Sequence, residues 1–181
     1  MKILFASDLH GSMFYCNCLL DIIKNENPDK IVLLGDILYH GPRNPLPKDY
    51  NPQDVFKALN SIKDKIICVR GNCDSEVDQM VLDFPIMADY TILNVDNINL
   101  FLTHGHLYNK DNMPNINDGD FLIHGHTHIH TIEKLEKATY INPGSICMPK
   151  ENQENSYMIY ENKNFIIKNL QGKELKSLKL A

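Results

Sequence analysis

The chain has 181 residues, 43% of them hydrophobic, enough for one domain with a substantial core and too few to expect two, so residues 1–181 read as a single domain. A formal net charge of -5, with 18 Lys and Arg against 23 Asp and Glu, argues against a broad electrostatic footprint for duplex nucleic acid, and no stable nucleic-acid complex is expected. No apolar run approaches the roughly 20 residues that cross a bilayer, and Cys16, Cys18, Cys68, Cys73 and Cys147 are scattered and follow no signal-peptide pattern, so a soluble, cytoplasmic protein with reduced thiols and no membrane partner is expected.

In chain order, Ile3 to Ala6, Ile31 to Leu34 and Ile66 to Val69 are short continuous apolar runs, the form of strands buried on both faces of a sheet. Between the first two, Tyr15, Leu19, Ile22 and Ile23 mark one face of an amphipathic helix that ends near Asn27-Pro28. Between the second and third, Val55, Leu59 and Ile62 mark another, with Asn51 as N-cap and Pro52 at the first helical position. Gly41 to Lys48, with three prolines, forms a stiff loop expected to overhang whatever Asp36 does. Ser75 opens a short helix that Met80 and Phe84 are expected to pack.

Beyond it the texture changes to strands and brief turns: Thr91 to Val95, Leu100 to Thr103, Phe121 to His124, Thr139 to Ile141, Tyr157 to Tyr160 and Phe165 to Leu170. Residues 161–164 suit a hairpin between the last two, and Lys173 to Lys179 reads as a solvated strand edge or tail. Two βαβ units followed by a β-rich half give an α/β (α+β) chain, a two-sheet sandwich flanked by helices.

Five polar clusters stand where apolar runs stop: Asp8-Leu9-His10-Gly11, Gly35-Asp36, Gly71-Asn72-Cys73-Asp74, Thr103-His104-Gly105-His106 and Gly125-His126-Thr127-His128. Strand ends of open α/β sheets face the crevice that holds ligands. Carboxylate, amide and imidazole donors suit manganese, iron, zinc or magnesium, whereas a structural zinc site would more often show paired thiolates. Asp8-x-His10 and His126-x-His128 have the i, i+2 spacing that, on extended backbone, points both side chains of a pair into one pocket. Asp8, His10, Asp36, Asn72, His104, His126 and His128 are too many donors for one ion. Two cations need a bridge, and Asp36 fills that role. Such a pair arms a water and neutralises charge on phosphorus, the arrangement of two-metal phosphoester hydrolysis. Spacing leaves the partition of ligands open.

The motifs D-x-H, G-D, G-N-x-D, T-H-G-H and G-H-x-H, in this order over residues 1–150, resemble the calcineurin-like metallophosphoesterases. The stretches from Gly35 to Asn44, Arg70 to Gln79 and Leu102 to His106 are similar to the YfcE-type bacterial phosphodiesterase branch of that family. The resemblance implies a four-layer αββα sandwich of two mixed sheets and a homo-oligomer, dimer or tetramer. It implies two divalent cations, usually Mn2+, with Asp8, His10, Asp36 and His128 on one and Asp36, Asn72, His104 and His126 on the other. The family commonly has a histidine proton donor where this chain has Cys73, and a thiol with a reference pKa of about 8.5 is a poor substitute.

The residues expected to act in catalysis are therefore Asp36, Asn72, Arg43, Cys73 and His106, with His40 at the edge of the site. Arg43 would fork onto a phosphate oxygen, and His106 would orient a ligand or touch the phosphate. Cys16, Cys18, Cys68, His124 and His130 are read as packing or connecting residues. The expected activity is metal-dependent hydrolysis of small phosphodiesters. The alternatives are a phosphomonoesterase or nucleotide phosphatase, and a catalytically weak binding scaffold of the same fold.

Overall fold

Strand β1 (Ile3–Ala6) has no exposed residue, and it runs parallel to β2 (Lys30–Leu33) on one side. The structure is a computed structural model that describes residues 1–180. Helix α1 (Met13–Glu26) makes the crossover: Ser12 caps it by accepting from the Tyr15 N–H at 3.3 Å, and Asn27 ends it in a left-handed conformation. Helix α2 (Pro52–Asn60) returns the chain to β3 (Ile66–Cys68), parallel to β2, through a 3-10 turn at Lys63–Lys65. Asn51 caps α2 as expected, accepting from the Asp54 N–H at 3.2 Å. Helix α3 (Glu76–Gln79) starts on a capping box in which the Asp78 carboxylate accepts from the Ser75 N–H at 2.8 Å.

The later strands divide. β4 (Tyr90–Val95), β5 (Ile98–Thr103), β6 (Phe121–Ile123), β7 (Thr131–Lys134) and β8 (Thr139–Asn142) form a five-stranded mixed sheet in the order β4-β5-β6-β8-β7. β9 (Ser156–Glu161), β10 (Asn164–Asn169) and β11 (Glu174–Lys179) return to the first sheet, which reads β11-β10-β9-β1-β2-β3. The 161–164 hairpin is present, with Asn162 and Lys163 both left-handed. β7 and β11 carry few apolar residues, and their sequences gave the weakest strand signal.

Alternation sorts the core. Leu4, Ala6, Ile31 and Leu33 face the helices with Cys16, Leu19, Val55 and Leu59. Ile3, Phe5, Val32 and Leu34 face the second sheet with Leu100, Leu102, Ile123 and Ile141. Phe101, Leu122 and Tyr140 point outward from the second sheet and are covered by Tyr108, Ile116 and Leu135. The outermost layer there is this irregular segment; among the described residues no helix lies in it. Cys16 and Cys68 are buried packing residues, as expected. Met80 corrects an expectation: it is 83% exposed, because the four-residue helix ends just before it, while Phe84 is buried. No helix among the described residues is long and apolar enough to cross a membrane.

Candidate metal centre

The loop after β1 is laid against the loop after β2 by backbone bonds: Asp8 N–H to Gly35 C=O at 3.2 Å and His10 N–H to Asp36 C=O at 2.9 Å. The second sheet joins through side chains, since His104 Nδ1 bonds the Leu34 carbonyl at 2.6 Å and the His126 N–H donates to Asp8 Oδ2 at 3.1 Å. Gly125 and Gly71 permit the approach. A Cβ at Gly125 would land on the Ser7 hydroxyl, and one at Gly71 on the Asp36 carboxylate.

Asp8, His10, Asp36, His126 and His128 all have φ between +51° and +64°. The expectation that the D-x-H and H-x-H pairs sit on extended backbone is therefore corrected. Left-handed residues follow the strands, turning each side chain back toward the sheet ends. Asp and His tolerate this region better than most residues, yet each still costs on the order of 1 kcal/mol, strain that clusters at functional sites.

These turns bring donor atoms together in two groups that share a carboxylate. His10 Nε2 lies 3.8 Å from Asp8 Oδ1, 3.7 Å from Asp36 Oδ2 and 3.4 Å from His128 Nε2, and His128 Nε2 lies 3.3 Å from Asp8 Oδ1. His104 Nε2 lies 3.5 Å from the same Asp36 Oδ2, 3.1 Å from Asn72 Oδ1 and 3.2 Å from His126 Nδ1. Asp36 Oδ1 is occupied, accepting the Cys73 N–H at 2.8 Å, so Oδ2 faces both groups.

The donor set fits cations. His10, His104 and His128 each bond a main-chain carbonyl through Nδ1, of Tyr39, Leu34 and Met148. That fixes the tautomer and turns the Nε2 lone pairs inward, the usual outer-shell arrangement of a metal histidine. With both rings neutral, the His10 and His128 lone pairs 3.4 Å apart repel, and Asp8 Oδ1 is buried with no main-chain donor, faced by His128 Nε2 at 3.3 Å. An ion among them removes both costs.

In the protein by itself, protons do part of that work. Burial works against charge on His104, but the Asp36 and Asp8 carboxylates outweigh it and raise its pKa to about 9. Burial likewise opposes charge on His128, and Asp8 overcomes it. Burial also opposes ionisation of Asp8 and Asp36, yet hydrogen bonding and attraction from His128 and His104 hold both below the ordinary carboxylate range. Burial dominates at His10 and His126, whose pKa values fall.

Above the donors opens a cleft of about 330 Å³ lined by His10, Asp36, Asn72, Cys73, His126 and His128, with Arg43 and Lys150 on its rim. Gly41, Pro42, Arg43 and Asn44 of the proline-rich loop line it as well. Residues 1–164 match the calcineurin-like phosphoesterase superfamily domain. The chain belongs to this family. It is 45% identical over 162 residues to Phosphodiesterase YfcE of Escherichia coli K12, covering 90% of this chain and 88% of that one. The solved structure of the E. coli phosphoesterase YfcE superposes with a TM-score of 0.97 at 41% identity, over the full length of both. Zinc-bound Vps29 from Entamoeba histolytica, at 17% identity and a TM-score of 0.63 over 98% of each chain, shares the fold. The two-sheet sandwich of this metallophosphoesterase is thus the family's, and the protein is a hydrolase by class.

Of the residues singled out in the sequence, Asp36, Asn72, Cys73 and Arg43 meet in the cleft of this phosphoesterase, and Arg43 has no hydrogen bond or ion pair to any described residue. His106 does not line the cleft; its ring stands 5.4 Å from that of His104, and burial with its charged neighbours pushes its pKa down to about 4. His40 is wedged edge-on between Tyr39 and Tyr50 instead of facing the donors. His124 is a buried packing residue stacked on Tyr140. Burial, and then Asp36, push the Cys73 thiol up to about 12.

Three supporting residues escaped the sequence reading. Asp74 accepts from the N–H groups of Asp36, Ile37 and Gly71 at 2.7–2.8 Å, clamping two loops of the centre, and burial lifts its pKa to about 6 against these donors. Ser145 donates to the Asp8 carbonyl at 3.0 Å, and Asn142 donates to the Gly125 carbonyl at 2.8 Å. Asp74 at least stood inside the G-N-x-D motif; nothing local marks the other two.

Proposed function

We propose that the protein is a metal-dependent phosphodiesterase with a dinuclear centre. Asp8, His10, Asp36 and His128 hold one divalent cation, and Asp36, Asn72, His104 and His126 hold the other. The observation that carries this reading is Asp36 Oδ2, 3.7 Å from His10 Nε2 and 3.5 Å from His104 Nε2, a single oxygen between two donor groups. When bound, the cations supply Lewis acidity, acidifying water and neutralising charge on phosphorus-bound oxygens. Oxygen and imidazole donors admit Mn, Fe, Zn or Mg, and the resemblance to the family favours Mn2+ among them.

The chain's own residues orient and screen. Arg43 and Lys150 set two positive charges at the cleft rim, where Arg43 pairs with a phosphate oxygen. His104 and His128 are held rigid by their carbonyl partners, so binding energy is not spent on ordering them. Cys73 keeps its proton and offers a leaving oxygen little acid help. Small diesters with stable leaving groups are then turned over faster than alkyl monoesters. The resemblance to the family extends this to a homo-oligomer, dimer or tetramer, which light scattering reads directly, and the scattered free thiols point to a cytoplasmic setting.

The test is to strip the protein with chelator, restore single metals and compare diester with monoester turnover. Diester activity with Mn2+ above monoester activity is expected. A preference for alkyl monoesters, or no turnover with any metal, overturns the reading; in the latter case the protein is a binding scaffold.

A further inference from the structure

Beside the metal cleft lies a second pocket of about 640 Å³ that shares Pro42, Asn72 and Cys73 with it, so the two adjoin. Its character is the opposite. The donor cleft is rimmed by ions, whereas this pocket is walled by Tyr39, Tyr50 and Phe56 on one side and by Val77 and Val81 of the α3 region on the other. Val77 is 70% exposed and Tyr39 and Val81 are exposed as well, apolar surface left open next to a polar centre. Tyr39 and Tyr50 pack edge-on against the His40 ring, at centroid distances of 4.8 and 5.2 Å.

Two carboxylates border the pocket, and both are committed internally. Asp74 accepts three main-chain N–H groups, and Asp78 accepts the N–H and hydroxyl of Ser75, each at 2.8 Å. Asp74 is fully engaged, and Asp78 accepts through Oδ2 alone, so the pocket favours an uncharged substituent over an anionic one. A phosphate anchored at the donors would therefore carry one of its ester substituents over Cys73 into an apolar, ring-lined space of ordinary ligand size.

Resting on the phosphodiesterase reading above, we propose that this pocket is a substrate subsite for a planar aromatic ester substituent, so the preferred diesters are aryl or nucleoside esters. Ring-on-ring contact with Tyr39, Tyr50 and Phe56 selects flat groups over flexible chains.

The experiment uses monoester probes, which carry only one substituent: methyl, butyl and phenyl phosphate and thymidine 5′-monophosphate, titrated into Zn2+-loaded protein by calorimetry and methyl NMR. Phenyl phosphate or thymidine 5′-monophosphate should bind about tenfold or more tighter than methyl phosphate and should shift the Val77 and Val81 methyl signals. Whichever of the two binds tighter identifies the aryl or the nucleoside source. The double variant Tyr39→Ala/Val77→Ser should bring the aromatic advantage to within about twofold, while Met80→Ser, exposed and outside the pocket, should retain it. Equal affinity for methyl and phenyl phosphate, butyl phosphate matching phenyl phosphate, or unmoved Val77 and Val81 signals in the wild type would each overturn the proposal. A failure of the phosphodiesterase reading shows itself separately, as absent turnover of every diester.

Discussion

Two charge clusters in this protein, one half-buried and one buried, hold their carboxylates in opposite ways. At the far end of α1, Glu26 is fully served: Oε1 accepts from Lys168 Nζ at 2.7 Å and Tyr157 OH at 3.0 Å, and Oε2 faces Lys2 Nζ at 2.7 Å. At the sheet ends, only a proton on His128 serves Asp8 Oδ1, the Nε2 atoms of His10 and His128 stand 3.4 Å apart, and five residues adopt left-handed backbone. The first cluster is complete within the chain. The second becomes complete only with something added, and it is held in that condition by the core beneath it. A satisfied cluster serves stability; an unsatisfied and strained one marks a candidate binding site.

Removing the shared carboxylate breaks the comparison most directly. Asp36→Asn should lower kcat/KM by more than about 100-fold, since even outer-shell partners of metal ligands cost 10–100-fold. The wild type should gain about 2.7 kcal/mol of stability at a metal concentration one hundred times Kd, and the variant should gain much less. Because His104 is protonated at neutral pH in the protein alone, loading should also release protons, visible as a buffer-dependent heat in calorimetry. Thermal melts that respond to Mn2+ equally in both proteins would sink the bridging role.

Asp74→Asn comes next. It should weaken metal affinity on the order of 10–100-fold while every donor remains present, because the clamp on the Asp36 and Gly71 loops loses acceptor capacity. Undiminished affinity with a lowered Tm would assign Asp74 to stability alone. Arg43→Ala should raise KM about tenfold with kcat changed less, the loss of one charge-assisted bond to phosphate. An unchanged KM would mean that Arg43 merely solvates its loop.

The smallest effect sharpens the other side of the comparison. Burial opposes ionisation of Glu26, but the Lys168, Lys2 and Tyr157 bonds dominate and hold its pKa at about 2, below the ordinary 4.5. A depressed folded-state pKa contributes stability that is present above pH 4.5 and is lost as pH falls toward 2. Glu26→Gln should therefore cost about 1 kcal/mol at pH 7 after solvent screening, and the gap to wild type should close across that acid window. Activity should not change. A gap independent of pH would show that packing, not charge, is what Glu26 supplies.

Much of this was legible along the chain. Apolar runs at Ile3, Ile31 and Ile66 announce strands, the i, i+4, i+7 pattern from Tyr15 announces α1, and Asn51-Pro52 announces the start of α2, because period and capping are local properties. The strands β7 and β11 were less legible, since their pairing is fixed by neighbours rather than by their own apolar content. Sequence supplied the seven candidate donor residues and their chemical type.

Only the folded chain decided how they meet. The left-handed turns at Asp8, His10, Asp36, His126 and His128 arise where strand ends must pack against one another, and these turns, not extended strands, bring both members of each i, i+2 pair into the pocket. The clamp by Asp74, the support from Ser145 and Asn142, and the aromatic pocket between the 38–42 loop, α2 and α3 join residues tens of positions apart. Residue type fixes what a side chain can bind; distance and direction belong to the packing of two sheets, which no local pattern encodes.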